Sequence, residues 1–168
     1  MQKQIKVLLT LLMALFLAVS CSKDNVTNPI KTKEQMLQQK WINDYGTGYE
    51  LYNITENSLE SAGSYNNSPE TVGYQISIEE ISWNSDNTSG IIYGKYTIDN
   101  NNNNKNLGKW YAVSFKNLTD TSISICGASK KLEDGSYDSS AETLQEAKTK
   151  FTEANGYFGY YSACTVKQ

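Results

Sequence analysis

The chain has 168 residues, with 15 lysines, 18 acidic residues, and neither histidine nor arginine. Catalytic triads, Cys-His pairs and metal sites that need histidine are therefore impossible, as are bidentate arginine clamps for phosphate. Residues 1–20 contain two of the lysines and no acidic residue, so the remaining thirteen lysines face 18 acidic residues, a net charge of −5. That charge argues against nucleic acid as a partner.

Residues 1–20 have the order of a secretory signal. Lys3 and Lys6 precede a nearly unbroken apolar stretch over residues 7–19, and small residues stand just before Cys21. The stretch is shorter than the roughly 20 apolar residues that a membrane-spanning helix needs. We therefore expect residues 1–20 to be a signal peptide that is removed.

The cleavage region, Leu17-Ala18-Val19-Ser20-Cys21, resembles the lipobox of bacterial lipoproteins. The resemblance implies that Cys21 is the lipidation site, carrying a diacylglyceryl group and acyl chains such as palmitate. The protein would then be anchored to the lipid bilayer at the cell envelope, for example at the outer membrane or the cell surface. The alternative is an ordinary secretory signal with an unmodified cysteine. Residues 21–33 are polar and predict a lipidated cysteine followed by a flexible tether.

Cys126 and Cys164 are the two cysteines that remain. An exported domain meets an oxidising compartment, so we predict a disulfide bond between them. Closing a loop of this length would stabilise the fold by about 4 kcal/mol in the chain-entropy model. The alternative is two buried free thiols.

Residues 34–168 are predicted to form one mainly β domain. Thr32 and Gln35 have the spacing of a capping box and predict a short helix over residues 32–39. A second capping-box spacing and an apolar stripe predict a helix over residues 143–155, followed by a last strand over 157–166. Between the helices, runs of Tyr, Ile, Val and Trp bounded by Gly, Asn, Asp and Ser predict seven strands. These are residues 41–45, 49–55, 58–64, 72–83, 90–98, 109–117 and 122–128.

Seven or eight antiparallel strands fit either an up-and-down barrel or a sandwich. A closed barrel removes the exposed sheet edges, so we favour the barrel. The polar segment over residues 99–106 is predicted to be a solvated hairpin connection, with a functional asparagine cluster as the alternative. Glu133, Asp134 and Asp138 lack the spacing of a calcium loop and are interpreted as a solvated turn, with a weak Ca²⁺ site as the alternative.

Two phrases of the sequence carry a family resemblance. The resemblance begins with Ser89-Gly90-Ile91-Ile92-Tyr93-Gly94-Lys95-Tyr96-Thr97 and with the segment over residues 108–119, and it continues through the second helix to Gly156-Tyr157-Phe158. Much of the domain thus resembles small lipocalin-like lipoproteins of host-associated bacteria. The resemblance implies a lipocalin-like β-barrel lipoprotein with a short N-terminal helix and one helix outside the barrel. It implies no catalytic residues.

The high tyrosine and tryptophan content suggests a binding role. An eight-stranded barrel can hold one small ligand, and tyrosine combines an apolar ring with a polar tip. The predicted ligand-contacting residues are Trp83, Tyr93, Tyr96, Trp110 and Tyr111. In the alternative interpretation these rings fill the interior, or form an outward surface that contacts a glycan or a protein.

The function expected from the sequence is therefore non-catalytic binding of a small apolar or amphipathic ligand by a membrane-anchored lipoprotein. The alternative is a surface interaction protein or adhesin with a filled barrel. Glu79 and Glu80 are neighbours on a strand and point to opposite faces, which opposes a shared hydrolytic site. We expect no enzymatic activity, no cofactor and no metal site.

Overall fold

The computed structural model describes residues 30–168. The predicted signal peptide, Cys21 and most of the tether lie outside the described residues. The fold is mainly β, with two short helices, α1 (Lys33–Leu37) and α2 (Leu144–Lys150). The barrel strands are β1 (Lys40–Asp44), β2 (Tyr49–Ile54), β3 (Ser58–Ser64), β4 (Thr71–Trp83), β5 (Gly90–Asp99), β6 (Trp110–Lys116), β7 (Ser122–Gly127) and β10 (Ser162–Val166). A small separate hairpin pairs β8 (Lys130–Lys131) with β9 (Tyr137–Asp138).

The eight strands close into one antiparallel barrel. β1 to β7 pair in chain order, and β10 pairs with β7 on one side and β1 on the other. The prediction of a closed antiparallel barrel is confirmed. Closure leaves the barrel wall without an unpaired edge, which is the physical advantage of this arrangement over an open sheet.

The helix α1 closes one end of the barrel. Thr32 and Gln35 form the predicted capping box, with the Thr32 side chain accepting from the Gln35 backbone and the Gln35 side chain accepting from the Thr32 backbone. Leu37 is fully buried, and its carbonyl accepts a hydrogen bond of 3.0 Å from the Trp41 indole. Lys33 reaches the β4–β5 loop, where its ammonium donates to Asn87. We call this the closed end.

The interior beneath α1 is a packed apolar core. Inward-facing side chains of alternate strand residues meet there, as the two-residue period of a strand requires. The core residues nearest the closed end are fully or almost fully buried. They include Leu37, Trp41, Ile54, Leu59, Ile92, Phe115, Leu118, Ile123 and Ile125.

The helix α2 packs on the outside of the wall and is shorter than predicted. The Thr143 side chain caps its first turn by accepting from the Glu146 backbone. It ends at Lys150, because the Asn155 side chain donates to the carbonyls of Thr149 and Lys150 that a longer helix would use. Within residues 30–168, neither this helix nor α1 is long and apolar enough to cross a membrane.

The last strand begins at Ser162, five residues later than predicted. Tyr157 and Phe158 are buried, and the Tyr157 carbonyl accepts from the Ser129 backbone beyond the end of β7. The segment before β10 therefore covers the outside of the barrel before the chain enters the sheet.

Cys126 and Cys164 are buried free thiols, so the predicted disulfide is not present. The register explains the difference. Cys164 lies opposite Ile123, three residues from Cys126 on β7, which separates the two cysteines by about 10 Å. A disulfide needs Cα atoms within about 7 Å. An offset of three also places the two side chains on opposite faces of the wall.

Candidate functional site

The end of the barrel opposite α1 is open and lined by polar groups. Three adjoining cavities lie there, with volumes of about 250, 280 and 230 Å³. Glu50 and Tyr52 line the first two cavities, and Tyr74, Asn101 and Tyr111 line the first and third. We call this combined space the mouth.

Four tyrosines form what we call the tyrosine floor of the mouth. Tyr52 lies on β2, Tyr74 on β4, Tyr96 on β5 and Tyr111 on β6. Each is at most 8% exposed. The Tyr111 ring centroid lies 5.1 Å from that of Tyr74 and 4.7 Å from that of Tyr96. Edge and tilted contacts of this kind fix the rings of Tyr74, Tyr96 and Tyr111 against each other, so this part of the floor is a preorganised surface.

Two hydroxyls of the floor, those of Tyr74 and Tyr111, lie beside Gly127. A Cβ on Gly127 would overlap the Tyr111 hydroxyl and would lie 3.6 Å from the Tyr74 hydroxyl. The Tyr96 hydroxyl donates to the Ser139 carbonyl at 3.3 Å. Because residue 127 has no side chain, β7 leaves room for two phenol groups at this place.

The tyrosine floor stays uncharged at neutral pH. Burial is the largest cause that raises the pKa of Tyr74 and Tyr111 well above the usual value. Burial also raises the pKa of Tyr52 and Tyr96. A neutral phenol both donates and accepts a hydrogen bond, so the floor offers a ligand polar contacts without adding a formal charge.

The asparagine-rich loop after β5 folds over one side of the mouth. Asp99 is fully buried, and its carboxylate accepts from the Asn102 side chain at 2.9 Å and from the Asn106 backbone at 3.1 Å. Asn100 donates to the Val72 carbonyl at 2.9 Å. These bonds hold the loop in place and leave Asn101 on the lining of two of the cavities. The connection between β5 and β6 is therefore an ordered loop that forms part of the lining of the mouth.

Exposed tyrosines surround the mouth, and we call them the rim. Tyr65, Tyr137 and Tyr160 each line one of the three cavities and are 57%, 64% and 95% exposed. Tyr45 pairs with Tyr65, with ring centroids 6.3 Å apart. Exposed rings grouped at one end of a barrel are the kind of surface that contacts a partner.

The structure brings together two of the five predicted ligand-contacting residues, Tyr96 and Tyr111. Trp83 packs against Phe115 near the closed end, with ring centroids 4.9 Å apart. Tyr93 lies on the outer wall beneath Lys148, whose ammonium is 5.9 Å from the ring centroid. Trp110 also faces outward, where the Lys95 ammonium is 5.1 Å from its ring centroid.

The site also contains residues that sequence reasoning missed, namely Glu50, Tyr52, Tyr74 and Asn101. Alternation along β2 carries a usable signal, because Tyr52 shares a face with the buried Ile54 and with Glu50. The Asn101 position had no such signal, since it depends on how a loop folds against the neighbouring hairpin.

Two acidic residues of the segment before α2, Asp134 and Asp138, are engaged by neighbouring groups. Asp134 accepts hydrogen bonds from the backbone and the side chain of Ser136. Asp138 pairs with Lys150 at 2.8 Å and accepts from the Tyr157 hydroxyl at 2.6 Å. Within the described part of the chain, no group of three acidic or cysteine side chains is placed to hold a metal ion.

Comparisons with protein-family models, with curated proteins and with solved structures found no match to this chain.

Proposed function

We propose that this protein is a lipid-anchored, lipocalin-like binding protein of the cell envelope that holds a small amphipathic molecule in the mouth without chemical turnover. The observation that carries the proposal is the tyrosine floor in an open cavity. Its rings offer apolar contact and its hydroxyls offer hydrogen bonds, which together suit a ligand with both kinds of surface. The packed core beneath α1 restricts such a ligand to the mouth.

The proposed anchor is compatible with this position of the site. The chain enters the barrel at α1, the closed end, and the mouth is at the opposite end. The proposed tether would therefore join the barrel domain at the end away from the mouth. Replacing Cys21 by serine should release the protein from membranes into the soluble fraction, and retention after this change would refute the anchor.

The rim favours a second candidate function, contact with a glycan or a protein. Exposed tyrosines such as Tyr65 and Tyr160 can stack on a sugar ring or a partner side chain. In that case the rim would do the binding, and the mouth would be an incidental opening between its loops.

Native mass spectrometry of the protein extracted from its own envelope tests the first function. We expect a small-molecule adduct at one copy per chain. Ser61 lines the mouth, so Ser61→Phe should fill part of it and remove the adduct. Thr97→Phe is the matched control, because Thr97 is exposed on the outer wall of β5. The thermal midpoints of both variants show that they are folded.

Two outcomes separate the candidates. Loss of the adduct with Ser61→Phe, and its retention with Thr97→Phe, support binding in the mouth. Bare protein from the native envelope, together with glycan or protein binding that alanine at Tyr65 and Tyr160 abolishes, would instead support the rim.

A further inference from the structure

Glu50 is a carboxylate that faces the mouth, and among residues 30–168 it forms no ion pair with a lysine. It lies on β2 opposite Asn43 and Gly63, and it lines two of the three cavities. Its carboxylate accepts a hydrogen bond from the Ser162 hydroxyl. The ion pairs found within residues 30–168 involve other residues, and they join Lys109 to Glu142, Lys116 to Glu153, Lys148 to Glu80 and Lys150 to Asp138.

The charge of the mouth is consequently one-sided. Of the described residues that line the three cavities, Glu50 and Asp99 carry a charge and none is a lysine. The Asp99 carboxylate is fully buried and already engaged by the loop after β5. Glu50 is therefore the charge that a ligand in the mouth would meet.

This arrangement selects among ligand classes. An anionic ligand would face Glu50, and the described residues that line the three cavities include no lysine to offset that repulsion. A wholly apolar ligand would remove water from the carboxylate without replacing it by a hydrogen bond or an ion pair. A ligand cation would pair with Glu50, and the tyrosine rings around it would add to the attraction through their negative faces.

We infer that the ligand carries a cationic ammonium group that pairs with Glu50, while its apolar part lies against the tyrosine floor. The inference rests on the proposed function, and it specifies the ligand class of the same site. Tyr52 lies two residues from Glu50 on the same face of β2, so it would contact both the ammonium group and the apolar part of such a ligand.

The test compares three molecules of similar size and different charge, namely 2-phenylethylammonium, 2-phenylethanol and phenylacetate. Their affinities are measured by calorimetry on the mature chain carrying Cys21→Ser, which lacks the lipid. We expect the ammonium compound to bind at least about tenfold more tightly than the other two. Glu50→Gln should weaken its binding about tenfold and leave the alcohol unchanged.

Glu60→Gln is the matched control. Glu60 lies on the outer wall of β3, where it accepts from the Gln75 side chain, and it is absent from the lining of the mouth. This variant should bind all three compounds as the unaltered protein does.

Either of two results would overturn the inference. One is undetectable binding of the ammonium compound, and the other is equal binding of the alcohol together with an unchanged affinity in Glu50→Gln. Both results leave open whether a native adduct is present and whether Ser61→Phe removes it, so the proposed function would still stand on that separate measurement. Loss of that adduct from both Ser61→Phe and Thr97→Phe would count against the mouth itself.

Discussion

The hydroxyl of Tyr111 on β6 occupies the space beside Gly127 on β7 into which the Cβ of any larger residue would project. The two residues belong to neighbouring strands, so the contact forms only when β6 and β7 are paired. It links the chemistry of the mouth to the packing of the wall.

Gly127→Ala should destabilise the barrel by about 1–3 kcal/mol, the usual cost of forcing extra volume into a packed site. The added methyl group must displace the Tyr111 hydroxyl. Tyr111→Phe removes that hydroxyl, so the double variant should lose less stability than the sum of the single variants. Urea unfolding of the four proteins measures the coupling. Strictly additive losses would show that the two groups do not compete for space.

The tyrosine floor predicts a loss of stability at alkaline pH. Burial raises the pKa of Tyr74 and Tyr111 in the folded protein, whereas an unfolded tyrosine ionises near pH 10. Below that pH both states hold the proton and stability does not change. Above it the unfolded state releases protons first, and each buried phenol lowers the free energy of unfolding by about 1.4 kcal/mol per pH unit.

Urea unfolding between pH 9 and pH 11.5 checks this dependence. Tyr74→Phe should make the decline less steep, because one buried phenol is removed. Tyr160→Phe is the matched control, since Tyr160 is 95% exposed, and it should leave the slope as it is. A slope that Tyr74→Phe does not change would contradict the proposed burial of the floor.

Cys126 and Cys164 should react slowly with alkylating agents in the folded protein. Their labelling after denaturation should not require a reducing agent. Burial raises the pKa of Cys126, and burial followed by the nearby Glu50 raises the pKa of Cys164 to about 12. Only a thiolate alkylates readily, so native protein at pH 8 should label slowly and denatured, unreduced protein should label at both sites. Mass spectrometry counts the added groups. A denatured protein that takes up a label only after reduction would contain the disulfide after all.

The closed end predicts a ranking of two variants in α1. Leu37 is fully buried, so Leu37→Ala should cost about 2–5 kcal/mol through lost packing and the cavity left behind. Thr32 caps the helix from an exposed position, so Thr32→Ala should cost about 1 kcal/mol. Thermal and urea unfolding give both values. Equal costs would mean that α1 does not close the core.

Some features could be predicted from the sequence because they depend on neighbouring residues. The Thr32–Gln35 capping box follows from local spacing, and the bounds of β3 follow from the polar turn residues that flank it on both sides. Alternation also placed Tyr111, Val113 and Phe115 on one face of β6. The charge pattern and the absence of histidine limited the possible chemistry without any knowledge of the fold.

Only the tertiary structure decided which aromatic rings share a site. Tyr93 and Tyr96 are three residues apart on β5, so the strand period alone puts them on opposite faces of the wall. Which of the two rings points into the barrel depends on how the sheet closes. The separation of Cys126 and Cys164 depends on the register of β7 against β10. The meeting of Glu50, Tyr74 and Tyr111 required the barrel to close, because these residues come from strands far apart in the chain.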